Sequence, residues 1–413
     1  MIPATAAPAL AGPARGRTLP ATARALIAIL GRLERGRVEV RAPDGRIHRF
    51  GPGGPAIDGA LAQPAVLEVA DWRVSRATLA GGDVGFAESY MAGHWDTPDL
   101  VHLLSVLAAN QSTLERAFYG RTWARGLLRL RHWLNANTRR RAKRNITAHY
   151  DLGNDFYALW LDPTMAYSSA LFGGDRSLSL ERAQQAKVDR LLGRLALPSR
   201  SRVLEIGCGW GGFVETAARA GHTVTGISLS QRQTAYARER LRRAGLADRV
   251  ELRLQDYRDL AGRYDAVASI EMFEAVGEKY WPRYFAAVRD ALPVGGRAAI
   301  QTITIADRRF ERYRTQSDFI QQHVFPGGML ASPSRFAGEA RAAGLEIVDD
   351  LAFGPDYAET LKRWLAAFDA NGAAIEARFD RAFVRGWRYY LAYCAAGFDT
   401  ATTDVHQYTL VRR

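Results

Sequence analysis

Apolar and polar positions alternate with two different periods along the second half of the chain. Short apolar runs predict strands over 202–206, 223–227, 250–254, 264–270, 296–303, 345–349 and 407–411. Amphipathic stretches at helical spacing predict helices over 211–220, 231–244 and 280–291. Alternating strands and helices form a parallel sheet that is covered on both faces. The pattern therefore predicts an α/β fold with a seven-stranded, Rossmann-like sheet.

The N-terminal third follows a different pattern. Residues 1–20 are rich in Ala, Arg and Pro, which predicts a disordered tail. We expect a helix over 21–35, short strands over 38–40, 47–50 and 66–69, and helical spacing from 86 to about 137. The chain thus divides into a small α+β domain over 21–120, a basic amphipathic linker over 121–145 and a larger α/β domain over 146–413.

The distribution of charge singles out the linker. The chain carries 56 Lys and Arg against 43 Asp and Glu, and residues 1–149 hold 21 of the basic and 11 of the acidic side chains. From Arg121 to Arg144 there are nine basic residues and no acid, interleaved with Trp and Leu. Basic amphipathic segments of this kind bind anionic membrane surfaces. The alternative is a helix that packs between domains, followed by a solvated run of charge.

Composition excludes several classes of protein. The apolar run over 25–30 is far shorter than the roughly 20 residues that span a bilayer. Two cysteines, Cys208 and Cys394, suit a reducing cytoplasm, and neither has the spacing of a metal site. A net charge of +13 would suit a nucleic-acid methyltransferase, but there is no RNA-binding motif and most of the excess lies in residues 1–149. We expect no metal and no nucleic-acid partner.

A glycine-rich turn follows the first strand of the predicted sheet. Gly207, Gly209 and Gly211 alternate with other residues, and Glu205 precedes them. Glycines allow the backbone to approach a ligand closely. This spacing suits S-adenosylmethionine (SAM) better than a dinucleotide. A tight turn that binds no ligand is the alternative.

Polar residues follow the next two strands. Ser228, Leu229 and Gln233 stand where a dinucleotide enzyme would place an acid for the ribose. Asp256 and Tyr257 follow the third strand and suit the edge and the face of an adenine. Together with the glycine turn, these residues predict a class I SAM-dependent methyltransferase domain.

Two acids follow the fourth strand. The carboxyl ends of strands face the reactive crevice of an open α/β sheet, so Glu271 and Glu274 are placed for catalysis. Each could instead cap the helix that follows. The Asn/Asp-Pro-Pro-Tyr/Phe motif of amine methyltransferases is absent here, which argues against an amine acceptor.

Longer motifs point to one family. They occupy residues 147–156, 165–172, 203–212, 273–277, 319–330, 353–357 and 389–391. In this order they resemble the cyclopropane-fatty-acyl-phospholipid synthase family, from about residue 146 onward. Residues 167–170, 271–277 and 300–303 resemble its plant-type branch, which forms cyclopropanes.

The resemblance implies transfer of the SAM methyl group to a cis double bond of an unsaturated phospholipid acyl chain, then proton loss and closure to a cyclopropane. It adds Tyr167 and Ser168 to the cofactor-binding residues. Aromatic faces can stabilise the carbocation that such a reaction forms. The aromatic candidates are Tyr167, Phe273, Trp281, Phe325, Tyr357 and Tyr390.

The resemblance also implies that a bound bicarbonate takes the departing proton. Its ligands would be Glu274, Tyr357 and the backbone of Ser169 and Ile303, with Gln301 in place of the usual His. A neutral amide can hydrogen-bond an anion but supplies no positive charge. Methylation without ring closure therefore stays an alternative, giving a methyl-branched, methylene or furan-precursor chain.

For residues 1–145 the resemblance suggests a lipid-facing or dimerising domain. This favours the membrane interpretation of residues 121–145 and leaves a homodimer open. We expect a cytoplasmic enzyme, peripheral on the inner face of an anionic membrane, that acts on phospholipids. A SAM-binding protein without catalysis is a further alternative.

Overall fold

The computed structural model describes residues 19–52, 61–118 and 152–413. The chain divides into two compact units, residues 1–121 and 122–413. The basic segment 121–145 lies outside the described residues, and so does the predicted tail except for its last two residues. Within the described ranges, no helix has both the length and the apolar character needed to cross a bilayer.

The described residues of the N-terminal unit form a small sheet and four α-helices. Its elements are α1 Ala21–Leu30, β1 Arg37–Arg41, β2 Ile47–Phe50, β3 Pro64–Val69, α2 Arg73–Met91, β4 Trp95–Asp96, α3 Leu100–Ala109 and α4 Gln111–Phe118. The strand order is β2-β1-β3-β4. The helix expected over 21–35 ends at Leu30, where Gly31 disfavours its continuation. Helices occupy much of the described part of the range over which helical spacing was expected from 86, but Gly93 turns the chain at a φ of 73° and the short strand β4 interrupts them.

The C-terminal unit is built on a seven-stranded sheet. Its strands are β5 Arg202–Ile206, β6 Thr223–Ser228, β7 Val250–Leu254, β8 Ala266–Ile270, β9 Arg297–Ile305, β10 Leu345–Ala352 and β11 Thr403–Arg412. Their order is β10-β11-β9-β8-β5-β6-β7, in which β11 is antiparallel to both of its neighbours. The predicted sheet is thereby confirmed.

Helices cover both faces of this sheet. They are α5 Asn154–Tyr157, α6 Leu180–Arg194, α7 Gly212–Arg219, α8 Gln231–Arg243, α9 Trp281–Ala291, α10 Asp307–Tyr313, α11 Pro333–Ala342, α12 Gly354–Ala370, α13 Gly372–Glu376 and α14 Arg381–Asp399. Neighbouring residues of β5 belong to different apolar clusters: Val203 packs in one and Leu204 in the other. Since successive side chains of a strand point to opposite faces, both faces of the sheet are buried.

The parallel direction of the central strands brings the candidate site residues to one edge of the sheet. β5, β6, β8 and β9 run parallel, so the loops that follow them open at the same edge of the sheet. β11 runs beside β9 in the opposite direction and places Gln407 directly across from Gln301. The central part of this edge is therefore built from segments that are distant in sequence.

Candidate active site

Glu271 lies at the first position after β8 in an unusual backbone conformation. Its φ is 48°, in the left-handed region that non-glycine residues rarely adopt. Its backbone N–H donates to the carbonyl oxygen of Gln301 at 2.8 Å, which extends the β8–β9 pairing by one residue. Such a conformation costs about 1–3 kcal/mol and persists where the surroundings enforce it.

The carboxylate of Glu271 accepts three hydrogen bonds. The backbone N–H of Ser169 and the Nε2 of Gln301 donate to its Oε1 at 2.8 and 2.7 Å. The hydroxyl of Tyr357 donates to its Oε2 at 2.6 Å. Burial raises the pKa of Glu271, while these donors and the charge of Lys187 act in the opposite direction.

The orientation of the Gln301 amide is fixed by a chain of hydrogen bonds. Gln407 donates from Nε2 to the Oε1 of Gln301 at 2.9 Å, which leaves the Nε2 of Gln301 facing Glu271. The Oε1 of Gln407 in turn accepts from Arg190 at 2.8 Å. Gln407 was not among the residues predicted from the sequence, because only the pairing of β9 with β11 brings it opposite Gln301.

Glu274 lies one turn further along the same loop. Its Oε1 accepts from the backbone N–H of Ile303 at 2.5 Å and from the hydroxyl of Thr302 at 2.9 Å. Its Oε2 is buried without a hydrogen-bond partner. Burial, together with the neighbouring charge of Glu271, raises the pKa of Glu274 to about 8. The two carboxylates therefore differ in environment, which is typical of sites that perform acid–base chemistry.

A buried lysine accompanies this carboxylate pair. Lys187 on α6 is 1% exposed and donates from Nζ to the hydroxyl of Ser168 at 2.6 Å. Burial lowers its pKa to about 8, and the negative charges of Glu271, Asp162 and Glu205 oppose that shift. Lys187 was not among the site residues predicted from the sequence. The one indication in the sequence was its residue type, because the chain is rich in arginine and has only four lysines.

The loop that carries Tyr167, Ser168 and Ser169 is held by α12. Asp356 on this helix accepts from the backbone N–H groups of Phe172 and Gly173 at 2.7 and 2.9 Å. The next residue of α12, Tyr357, reaches Glu271. One turn of helix thus positions both the loop and the phenol.

The aromatic candidates fall into two groups. Tyr167 and Tyr390 share a hydrogen bond between their hydroxyls at 2.6 Å, and the rings of Tyr167 and Tyr357 both pack against Trp364. Phe273 and Trp281 instead pack in the apolar core with Phe336 and other buried residues. Phe325 is half-buried and follows the π-helical turn Ile320–Val324. The structure thus brings three of the six predicted rings together.

The glycine turn has the geometry of a ligand cradle. Gly207, Gly209 and Gly211 all have positive φ values, of 86°, 49° and 85°. A Cβ on Gly207 would lie 2.8 Å from the side chain of Met272, whereas a Cβ on Gly209 would meet no atom within 4 Å. Glu205 is buried, its Oε2 has no hydrogen-bond partner, and burial raises its pKa to about 8. The missing side chain at Gly207 therefore allows the turn to lie close to the loop of Glu271, and the missing side chain at Gly209 leaves space that a ligand could fill.

The other predicted cofactor residues follow β6 and β7. The Oγ of Ser228 accepts from the N–H of Ser230 at 3.1 Å, and Leu229 lies between them. Gln233 is buried in the first turn of α8. The carboxylate of Asp256 is held by Arg258 in an ion pair at 2.6 Å, and the guanidinium of Arg258 also lies over the Tyr257 ring. The adenine contacts of Asp256 and Tyr257 stay predictions.

The chain matches a known protein family over most of its length. A family profile described as mycolic acid cyclopropane synthetase matches residues 137–408. The chain belongs to this family of SAM-dependent fatty acid methyltransferases. The resemblance inferred from the motifs is confirmed.

Several relatives of this family member are similar over most of their length. It is 41% identical to the tuberculostearic acid methyltransferase of Mycobacterium tuberculosis over 350 residues, which cover 80% of this chain and 79% of the relative. It is 33% identical to the cyclopropane-fatty-acyl-phospholipid synthase of Escherichia coli over 382 residues, covering 91% and 96%. The crystal structure of the mycolic acid cyclopropane synthase CmaA1 with SAH and CTAB matches with a TM-score of 0.61 and 30% identity, covering 65% of this chain and 98% of that one.

The residues of this family member fit SAM. The glycines have positive φ values, there is open space at Gly209, and Glu205, two residues before the turn, has a buried carboxylate oxygen without a hydrogen-bond partner. The residues that were expected to bind bicarbonate do not fit that anion. Three of its expected donors, Ser169, Gln301 and Tyr357, already donate to Glu271, and the fourth, Ile303, donates to Glu274. Among the described residues, no group of His, Cys, Asp or Glu could hold a metal ion.

Proposed function

We propose that the chain transfers the methyl group of SAM to a cis double bond of an unsaturated phospholipid acyl chain. The observation that carries this proposal is the contact between two parts of the site. Gly207 of the glycine turn lies against the side chain of Met272, and Met272 lies in the chain between the partly buried Glu271 and Glu274. A methyl donor and a proton acceptor therefore belong to adjoining loops.

The chemistry assigns a separate task to each part of the site. When bound, SAM supplies an electrophilic methyl group. An alkene is a weak nucleophile, so the residues around it must exclude water and hold the double bond against that methyl. The rings of Tyr167, Tyr357 and Tyr390 are suited to stabilise the positive charge that then develops on the acyl chain. A carboxylate nearby is suited to take the proton that leaves.

Two products are consistent with these steps. Closure of the methyl carbon onto the second alkene carbon gives a cyclopropane, as the sequence predicts, and the 33% identity to the E. coli cyclopropane-fatty-acyl-phospholipid synthase supports it. The second candidate is a methylated chain without a ring. It is favoured by 41% identity to the tuberculostearic acid methyltransferase and by the neutral Gln301 at the position of the usual His.

Analysis of acyl chains distinguishes these products. The chain is expressed in a host with unsaturated phospholipids and fed methionine that carries a deuterated methyl group, and the fatty acid methyl esters are separated by gas chromatography and mass spectrometry. We expect new acyl chains one carbon heavier, which have lost one deuteron of the transferred methyl. Mild hydrogenation leaves a cyclopropane unchanged and reduces a methylene group. Unaltered olefins beside folded, SAM-binding protein would refute the proposed function.

We further propose that the substrate is reached at an anionic membrane surface on the cytoplasmic side. Support comes from the arginine-rich composition of residues 1–149 and from the basic Trp/Leu segment 121–145. Each basic residue near such a surface contributes about 1 kcal/mol of binding free energy, and this contribution is screened by salt. No nucleic-acid partner is proposed, and a homodimer stays open.

A vesicle assay tests the membrane step separately from catalysis. Full-length chain is sedimented with phosphatidylglycerol vesicles or with phosphatidylcholine vesicles at low and at high salt. We expect binding to the anionic vesicles only, and weakening by the triple substitution Arg139→Gln, Arg140→Gln, Arg141→Gln. A matched triple, Arg242→Gln, Arg243→Gln, Arg253→Gln, removes the same charge from α8 and β7 and should leave binding unchanged. Equal losses in both triples would contradict a role for the linker.

A further inference from the structure

One side chain receives the hydrogen bonds that the family resemblance assigns to bicarbonate. Ser169, Gln301 and Tyr357 converge on the carboxylate of Glu271 at 2.8, 2.7 and 2.6 Å. Carboxylate and bicarbonate have the same planar pair of oxygens and the same charge. The side chain therefore presents to these donors the group that a bound anion would present.

The donors that the resemblance assigns to bicarbonate are already used within the protein. Ile303, the remaining donor expected for bicarbonate, gives its N–H to Glu274. A bicarbonate beside Glu271 would also place two negative charges in a buried site, which is strongly unfavourable unless one of them is protonated.

We propose that the carboxylate of Glu271 is the proton acceptor of the reaction and replaces bicarbonate in this chain. The proposal rests on the proposed function. The alkene electrons form a bond to the methyl carbon as the carbon–sulfur bond breaks, which leaves a cation on the acyl chain. A proton then passes from the former methyl carbon to a carboxylate oxygen of Glu271. The electrons of that C–H bond form the second carbon–carbon bond of the ring, or a double bond after a hydride shift.

The surroundings of Glu271 suit this role. Lys187 supplies the positive charge that the amide of Gln301 lacks, and it acts electrostatically on Glu271 from within the same buried region. Burial makes the carboxylate more basic than an exposed one, which moves it towards the range that a general base needs at neutral pH.

A purely structural role explains fewer of these observations. As a helix cap, Glu271 would bond to the N–H groups of the turn that follows, whereas its partners lie on β9, on α12 and in the loop of Ser169. It also keeps a left-handed φ of 48° that glycine would adopt without strain. A strained, partly buried carboxylate on which three donors converge is characteristic of functional residues.

The test removes the side chain and supplies an anion in its place. Glu271→Gly suits the left-handed backbone and should leave the three donors around an empty space. Glu271→Gln keeps that space filled. Methyl transfer to acyl chains is measured for the full-length wild type and both variants in buffer freed of carbon dioxide, then with added bicarbonate or formate.

We expect the wild type to be insensitive to both anions. Both variants should lose about 100-fold or more in rate, the range for removal of a general base. Bicarbonate and formate should restore at least about tenfold to Glu271→Gly and nothing to Glu271→Gln, because only the glycine variant has room for them. Wild-type activity that requires bicarbonate, or full activity of Glu271→Gly without an anion, would overturn the proposal.

A measurement of binding separates this inference from the proposed function. Thermal unfolding with and without bicarbonate should show stabilisation of Glu271→Gly only. If Glu271→Gly gains no stability from bicarbonate, the carboxylate does not occupy an anion site and the inference fails. If the wild type folds and binds SAM but methylates no acyl chain, the proposed function fails. In that case no proton leaves a transferred methyl group, and the role proposed for Glu271 fails with it, whatever the unfolding curves show.

Discussion

Gln407 and Gln301 are cross-strand neighbours on β11 and β9, and the amide of Gln407 donates to the carbonyl oxygen of Gln301 at 2.9 Å. That bond determines which end of the Gln301 amide faces Glu271. Gln407 therefore controls the surroundings of the proposed base without touching it.

The substitution Gln407→Glu should invert this arrangement. The new carboxylate still accepts from Arg190, but it can no longer donate, so the Gln301 amide turns its NH₂ towards residue 407 and its oxygen towards Glu271. A carboxylate that loses a hydrogen-bond donor has a higher pKa. In a plot of kcat against pH, the fall in rate on the acidic side should therefore move to higher pH. We expect kcat to fall about tenfold at neutral pH, the equivalent of one lost hydrogen bond, with the KM for SAM nearly unchanged. Gln185→Glu on the exposed face of α6 is the control, and an unshifted pH profile in Gln407→Glu would contradict the argument.

Removal of the Tyr357 hydroxyl should affect catalysis more than folding. Tyr357→Phe keeps the stacking on Phe398 but loses the bond to Glu271. Hydrogen bonds to charged groups are worth about 1.5–3 kcal/mol, so kcat should fall roughly 10- to 100-fold.

Tyr408→Phe is the matched control for Tyr357→Phe. The Tyr408 hydroxyl is buried without a hydrogen-bond partner, and its ring stacks on Phe336. Its removal should leave activity unchanged and stability equal or slightly greater. Similar kinetics for the two variants in a product assay would argue against a role for the Tyr357 hydroxyl.

Gly209→Ala tests the cofactor cradle. The left-handed backbone there costs Ala about 1–2 kcal/mol, yet its Cβ would meet no protein atom within 4 Å. If SAM occupies that space, calorimetric titration should show at least about tenfold weaker binding, the equivalent of 1.4 kcal/mol. Gly245→Ala is the matched control. Gly245 lies just after α8, has a φ of 69° and has open space around an added Cβ, so the substitution causes the same backbone strain away from the proposed SAM site. Equal affinity of both variants for SAM would place the ligand elsewhere.

The stability of the chain should depend on pH through Glu274. This carboxyl has a pKa near 4.5 when unfolded and about 8 when folded, because it is buried beside Glu271. Between these values the folded chain retains a proton that the unfolded chain has released, so the free energy of unfolding falls as pH rises. Glu274→Gln removes this dependence and should gain on the order of 1–4 kcal/mol at pH 8 relative to pH 5.

Urea unfolding at several pH values measures the effect. The exposed Glu251 has a lowered pKa because of its hydrogen bond to Arg253, so Glu251→Gln should change the pH dependence in the opposite sense. A constant difference between Glu274→Gln and the wild type across the range would contradict the buried, protonated state of Glu274.

The sequence predicted those features that depend on residues close together in the chain. The apolar run of β5, the glycines after it and the two acids after β8 are local patterns, and the structure has them where they were expected. The resemblance placed Tyr357 beside Glu274 and Ser169; in the structure its hydroxyl donates to Glu271, which also accepts from the backbone of Ser169.

Features that depend on strand register or on side-chain direction were not predictable. Gln407 acts only because β11 pairs with β9 in one register. Lys187 becomes a partner of the carboxylates because α6 buries that face. The sequence showed two acids after β8, but not that Glu271 rather than an added anion would take the donors of three other segments.

The position of β11 in the sheet has a consequence for biosynthesis. β5 to β9 can pair as the chain emerges, but β11 is made more than a hundred residues after β8 and must enter between β9 and β10. A nascent chain that has folded its cofactor cradle therefore still lacks Gln407 and the correct orientation of Gln301. The proton-transfer half of the site is completed only late in translation, so a chain stalled before β11 should bind the methyl donor without being able to use it.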